Sequence, residues 1–169
     1  MDQLNFQVFC NMDTDGSGWT VFQMRQDGSV DLGLSKIHHL TKEGSNTLTV
    51  DLDYVNYSKF SISDGSTKYV LTARGYSDTA GDGLIKDYTR SNHHNHSGMK
   101  SLQKILIMTR VAGIVLVTAW WFNNCQQCHL NGGYHNPAEA ENWYRFIWNV
   151  WKGLAYSLSF TEIKTTHNN

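Results

Sequence analysis

The sequence predicts a single domain of strands and turns with little helix. Its 169 residues fit one ordinary core and leave no room for two. Aromatic residues reach 12% while charged residues stop at 17%, so Asn, Ser, Thr, Gly and His carry the polar balance, a composition that suits a loop-rich extracellular domain better than a helical bundle or a disordered tail. The clearest periodicities are two-residue alternations separated by Gly-, Asp- and Asn-rich punctuation. Lys and Arg number 14 against 15 Asp and Glu, a net charge of −1 that gives nucleic acid or an anionic membrane no field to follow.

Along the chain, Phe6 to Phe9 alternates, Asp13 to Gly18 turns, and Trp19 to Met24 alternates again, which predicts a hairpin. Leu32 to Leu40 fits a short helix. Asn46 to Leu52 and Lys68 to Thr72 are strand candidates, rich in Thr, Val and Tyr. Gly75 to Gly98 is too polar for a core element, and its His93, His94 and His96 lack metal spacing, which predicts a solvated His-rich loop. Tyr156 to Lys164 closes the pattern as a strand. Trp120, Trp121, Trp143, Trp148 and Trp151 are expected to be core and pocket wall, because large aromatics dominate burial in loop-rich domains.

Met1 to Cys10 is too short and polar to hold the apolar run of a secretory leader. The apolar stretch from Val111 to Phe122 spans about 12 residues against roughly 20 for a membrane helix, so no membrane span is expected. Sequons at Asn56 and Asn95 are compatible with glycosylation and secretion. Three cysteines, Cys10, Cys125 and Cys128, leave at least one thiol free or paired with another chain.

Two short motifs suggest metals and fail. Asp13-x-Asp15-x-Ser17-Gly18 resembles half an EF-hand loop, but Met24 stands at the twelfth position, where a bidentate Glu belongs. Cys125-Gln126-Gln127-Cys128-His129 matches covalent haem attachment, and with His135 it offers a Cys2His2 zinc set; its surroundings are strand and loop chemistry, against both. No triad or paired carboxylates recur at suggestive spacing, so no catalysis is expected.

A longer pattern runs through nearly the whole chain. Phe6 to Gln23, Arg25 to Asp31, Gly75-Tyr76-Ser77, Thr79 to Asp82, Gly98-Met99, Ala119 to Cys125, Leu130-Asn131-Gly132, Trp151-Lys152-Gly153 and Phe160-Thr161-Glu162 follow one another in an order that resembles the fibrinogen C-terminal domain family. The resemblance implies an α+β fold over residues 1–169, a twisted antiparallel sheet with a loop-rich C-terminal binding subdomain. It also implies a secreted, non-enzymatic recognition domain, oligomeric in full-length relatives. Lectin-like members bind acetylated glycans beside calcium in innate defence; angiopoietin- and tenascin-like members bind protein receptors or matrix. Carried over by position, the ligand-binding candidates are Asn124, Cys125, Gln126, Tyr134 and Ala138, with a cis peptide before Cys125. Gln126 stands where acetyl binders often carry His. The expected partner is an acetylated glycan or a cell-surface glycoprotein.

The chain departs from the family in two places. Asp31 passes directly to Leu32, skipping an aromatic-rich stretch, which predicts a missing helix and part of the core. Cys10 lacks its family partner, and so does Cys125, which leaves Cys128 to offer at most a strained bridge. Residues 101–118 replace an acidic calcium loop with an apolar segment free of carboxylates, so neither calcium nor another cofactor is expected, and exposed Ile, Leu and Val would favour aggregation. Joining the last base of each codon to the first two of the next lets this segment spell the family's Ser-Thr-Lys-Asp and then Asp-Asn-Asp-Lys, which identifies a reading-frame shift as its expected origin. A diverged apolar strand is the alternative origin, and a damaged product without activity is a further function reading that the shift brings with it.

Overall fold

The computed structural model describes residues 5–13, 16, 18–25, 30–43, 46–52, 55–85, 95–101, 105–109, 113–117, 120–123, 127–132, 147–153, 156 and 158–168. Its centre is a seven-stranded antiparallel sheet. Strands β1 (Phe9–Asn11), β2 (Trp19–Arg25) and β3 (Val30–Asp31) come first, then helix α1 (Leu34–Thr41), then β4 (Asn46–Asp51), β5 (Val55–Ile62) and β6 (Leu71–Ser77). Two pairs follow outside this sheet, β7 (Ile105–Thr109) with β8 (Gly113–Val117) and β9 (Cys128–His129) with β10 (Ile147–Trp148). The short helix α2 (Asn149–Lys152) leads to β11 (Thr161–His167), which inserts between β2 and β4 to give the order β1-β2-β11-β4-β5-β6, with β3 on β2.

Alternation decides which side chains face the core. Phe22, Leu48, Val50, Phe60 and Ile163 are buried together on one face, where Phe22 stacks on Phe60 at 5.7 Å. Glu162 and Lys164 alternate with Ile163, are buried in turn, and meet at 2.9 Å, with Asn11 Nδ2 donating to Glu162 Oε1 at 2.7 Å. Helix α1 is pinned to the end of β5: the Thr41 hydroxyl donates to Ile37 O and accepts from Ile62 N–H, and His38 Nδ1 lies 2.8 Å from Ile62 O.

The short helix, the second arm of the hairpin and the strands near residues 46–52 and 161–164 stand where the sequence puts them, whereas the hairpin's first arm, expected at Phe6 to Phe9, lies at Phe9–Asn11. Strand β5 was not legible, because its buried positions slip from Val55 and Tyr57 to Phe60 and Ile62. Gly75 sits at that slip in the paired strand at φ +67°, and a Cβ there would lie 2.0 Å from the Ser58 hydroxyl oxygen. Strand β6 begins at Leu71, later than expected, since Lys68 and Tyr69 turn with positive φ behind the 3-10 turn Gly65–Thr67. The last strand likewise begins at Thr161, not Tyr156.

The stretch from Gly75 to Gly98 is not simply a solvated loop. Its first residues belong to β6, and Ala80, Asp82, Leu84 and His96 are buried. Asp82 is accommodated because its Oδ1 accepts from the Tyr57 hydroxyl at 2.9 Å and from the Leu84 and Ile85 N–H groups. His93 and His94 lie outside the described residues. Residues 105–109 and 113–117 pair in strict antiparallel register from Ile105 opposite Val117 to Thr109 opposite Gly113. No helix among the described residues is long and apolar enough to cross a membrane.

Candidate functional site

The part of the fold around residues 120–132 and 147–153 is built less by ladders than by side chains reaching backbone oxygens. Trp120 and Trp121, both buried, meet edge to face at 5.3 Å, and the Trp121 indole donates to Tyr69 O at 2.6 Å. Trp148 closes the other side: its indole donates to Gly81 O at 3.0 Å while its ring lies over Gly83. A Cβ on Gly83 would approach that ring to 2.7 Å, so only glycine admits the contact. Gln127 and Asn149 are joined twice, through backbone and side-chain amides, each at 2.8 Å. Asn123 Nδ2 donates to Asn95 O at 3.0 Å. From the sheet, Gln23 Nε2 donates to Leu130 O and Asn131 Oδ1, and Arg25 donates to Gly132 O.

Two histidines lie inside this frame. His96 is fully buried, its Nδ1 2.6 Å from Trp121 O and its Nε2 facing the Gln127 N–H at 3.4 Å. One nitrogen must donate and the other accept, which fixes a neutral ring and one tautomer. His129 has neither ring nitrogen hydrogen-bonded and packs edgewise on Phe122 at 5.0 Å. Its burial, and then the positive Arg25 and the neighbouring His96, pull its pKa down to about 3. Burial also drives the Cys128 thiol well above its ordinary value, and burial followed by the Asp82 charge does the same to the Tyr57 phenol.

The site candidates Asn124, Cys125, Gln126, Tyr134 and Ala138, the peptide bond before Cys125, and Trp143 lie outside the described residues. What is described is the frame on both sides of them, residues 120–123, 127–132 and 147–153. Trp120, Trp121 and Trp148 are core, as expected, and Trp151 is half-buried. Cys10 is exposed and Cys128 buried, each a free thiol, so the strained Cys125–Cys128 bridge is not formed. Cys128 and His129 are consecutive residues of β9, whose side chains point to opposite faces, an arrangement that suits neither a tetrahedral metal nor haem attachment. The sequon Asn56 lies within β5, paired on both sides, and Asn95 is half-buried with its Oδ1 accepting from Ser97 N–H at 2.8 Å.

Calcium does not fit the residues present. Ser101 to Thr118 contains no carboxylate, and residues 105–109 and 113–117 pair with each other as a two-stranded hairpin instead of forming an acidic loop. Among the described residues, no three His, Cys, Asp or Glu side chains converge as a metal site.

The sequence profile described as "Fibrinogen beta and gamma chains, C-terminal globular domain" matches this chain in two overlapping pieces, residues 1–33 and 31–167. The chain belongs to the fibrinogen C-terminal domain family. Mouse Fibrinogen C domain-containing protein 1 is 36% identical over 194 aligned residues, taking in 94% of this fibrinogen-like chain and 40% of its own length. Chicken tenascin-R is 33% identical over 186 residues, 94% of this chain and 13% of that protein. The chain thus spans well under half the length of these curated relatives. Among solved structures, the fibrinogen-like globe of human ANGPTL2 superposes with a TM-score of 0.73 at 26% identity, over 96% of this chain and 86% of that one. Lamprey fibrin D-dimer, complexed with the peptide ligand Gly-His-Arg-Pro-amide, gives 0.74 at 27% identity, over 95% and 64%. The likeness fixes the fold as a fibrinogen-like globe, mostly antiparallel sheet with few helices.

Proposed function

We propose that this chain is an extracellular, non-enzymatic recognition module that binds a protein or peptide through the segments 124–126 and 133–146, without calcium. The observation carrying this reading is the hydrogen-bonded frame on both sides of those segments: Trp121, Asn123, Gln127 and Asn149 hold one, while Gln23, Arg25 and Trp148 hold the ends of the other. A fibrinogen-like relative that carries a bound peptide supports the ligand class. The mismatch of residues 101–118 with calcium supports the absence of a metal requirement. An acetylated glycan or cell-surface glycoprotein is the second reading; it rests on the Trp120 to Cys125 segment and is weakened by Gln126.

The test is retention of the purified chain, in chelator-containing buffer, on immobilised Gly-His-Arg-Pro-amide and on acetylated albumin. Retention on the peptide, unaffected by chelator, is expected. Retention on the acetylated resin alone would replace the peptide reading with the glycan one. Retention on neither, together with a featureless near-UV circular dichroism spectrum, would identify a damaged product.

A further inference from the structure

We propose that the space between α1 and the central sheet is a binding site for a compact, uncharged aromatic molecule. The space measures about 150 Å³ and is walled by Phe22, Leu34, Ile37, Phe60, Trp120 and Ile163, among others. It thus lies inside the fold, behind the recognition frame, and the proposal is independent of what that frame binds.

Its position explains why it exists. The two pieces of the family match overlap at residues 31–33, and Leu32, Gly33 and Leu34 border the space. The mouse relative's alignment runs over 194 residues although only 94% of this 169-residue chain takes part, so that relative carries residues with no counterpart here. Helix α1 therefore follows β3 directly at the place where the match breaks, and the sheet face behind it keeps a hollow. Close-packed interiors rarely keep such voids, and each one forfeits dispersion contacts along its walls.

The lining selects the ligand. No charged side chain borders the space among the described residues; its amide members, Gln23 and Asn131, are bonded to each other at 2.6 Å, the Trp121 indole donates to Tyr69 O, and the Trp120 indole N–H is a donor on the lining with no acceptor. Water entering would find few partners, whereas a cavity of this size lined by Leu, Ile and Phe stays dry and takes benzene or xenon. The stacked Phe22–Phe60 pair and the Trp120 ring border the space and offer a bound ring aromatic faces and edges to pack on. Entry is at Gly33, which is exposed and where a Cβ would meet nothing within 4 Å.

The experiment is a titration of the intact chain with benzene and with iodobenzene. Benzene should raise Tm saturably. Iodobenzene should quench tryptophan emission along a saturating curve, because Trp120 and Trp121 line the space, while aqueous iodide should quench weakly. Val50→Phe, which fills the space from β4, should weaken benzene binding at least tenfold. Should that variant not fold, Leu34→Phe at the mouth serves instead, with the same expected loss. A linear, free-indole-like quench and no Tm shift in the unaltered chain would overturn the proposal. Undiminished binding in the folded variant would overturn it as well.

Discussion

The central sheet and the frame formed by residues 120–123, 127–132 and 147–153 are held by different kinds of bond. In the sheet, β11 pairs at six consecutive positions with β4 and at five with β2, all through backbone groups that any side chain leaves in place. In the frame, the only ladders among the described residues are two-residue strands, and the fixing is done by Trp121, Trp148, Gln23 and His96 reaching backbone oxygens of Tyr69, Gly81, Leu130 and Trp121. A backbone ladder tolerates substitution. A side-chain clamp does not, since its loss removes packing and leaves a buried carbonyl unpaired.

The largest difference is expected at Trp148. Trp148→Ala should cost about 4 kcal/mol of unfolding free energy, from the cavity and the orphaned Gly81 carbonyl together. Val50→Ala on the sheet should cost clearly less, and denaturant melts of both variants measure the gap; equal costs would erase the distinction between ladder and clamp.

The sheet contains one exception to its own rule, the buried Glu162–Lys164 pair. Glu162→Ala removes the buried carboxylate that accepts from both Lys164 Nζ and Asn11 Nδ2 and should destabilise by about 3 kcal/mol. Replacing both residues by apolar ones should recover much of that loss, and a double-mutant cycle tests it. A third comparison sets residues 101–118 against their frame-restored counterpart. We expect millimolar calcium to leave Tm of this chain unchanged, whereas the restored segment should gain about 2.7 kcal/mol at a hundredfold excess over Kd. Sequencing the transcript across Met99 to Trp120 settles whether a one-base shift underlies the segment.

The smallest effect is a matter of pH. In the unfolded chain His129 takes a proton near pH 6.5, but in the fold only near 3. Its contribution is therefore complete above pH 6.5 and falls away as the pH drops toward 3, because the unfolded state binds the proton first. His129→Asn should flatten the loss of stability between pH 6.5 and 5 by roughly 1 kcal/mol per pH unit. An unchanged slope would mean that the ring is solvated.

The same contrast explains what the sequence disclosed. Trp19 to Met24 and Asn46 to Asp51 announce themselves, because alternation is a local signal of a half-buried strand. Val55 to Ile62 does not, since Gly75 in the neighbouring strand permits a slip that no single-strand pattern records. Burial of Asp82 and His96 was invisible for a related reason: their partners Tyr57, Trp121 and Gln127 are 25 to 31 residues away. Polarity alone predicts solvent exposure there. At the site, the order of motifs carried the family and the tryptophan core, while the free thiol of Cys128 corrects the bridge reading of the same pentad.

Strand β11 lies in the middle of the sheet yet comes last in chain order. During synthesis the β4-β5-β6 meander and the β1-β2-β3 hairpins can each form from neighbouring segments, but they have no edge in common until residues 161–167 arrive. Joining the two half-sheets is a long-range closure of high contact order, which places folding in the millisecond-to-second regime. Until it happens, the inner edges of β2 and β4 stay open. A neighbouring molecule's β11 fits those edges as well as the chain's own, so refolding at high concentration should yield strand-exchanged dimers in competition with the closed monomer.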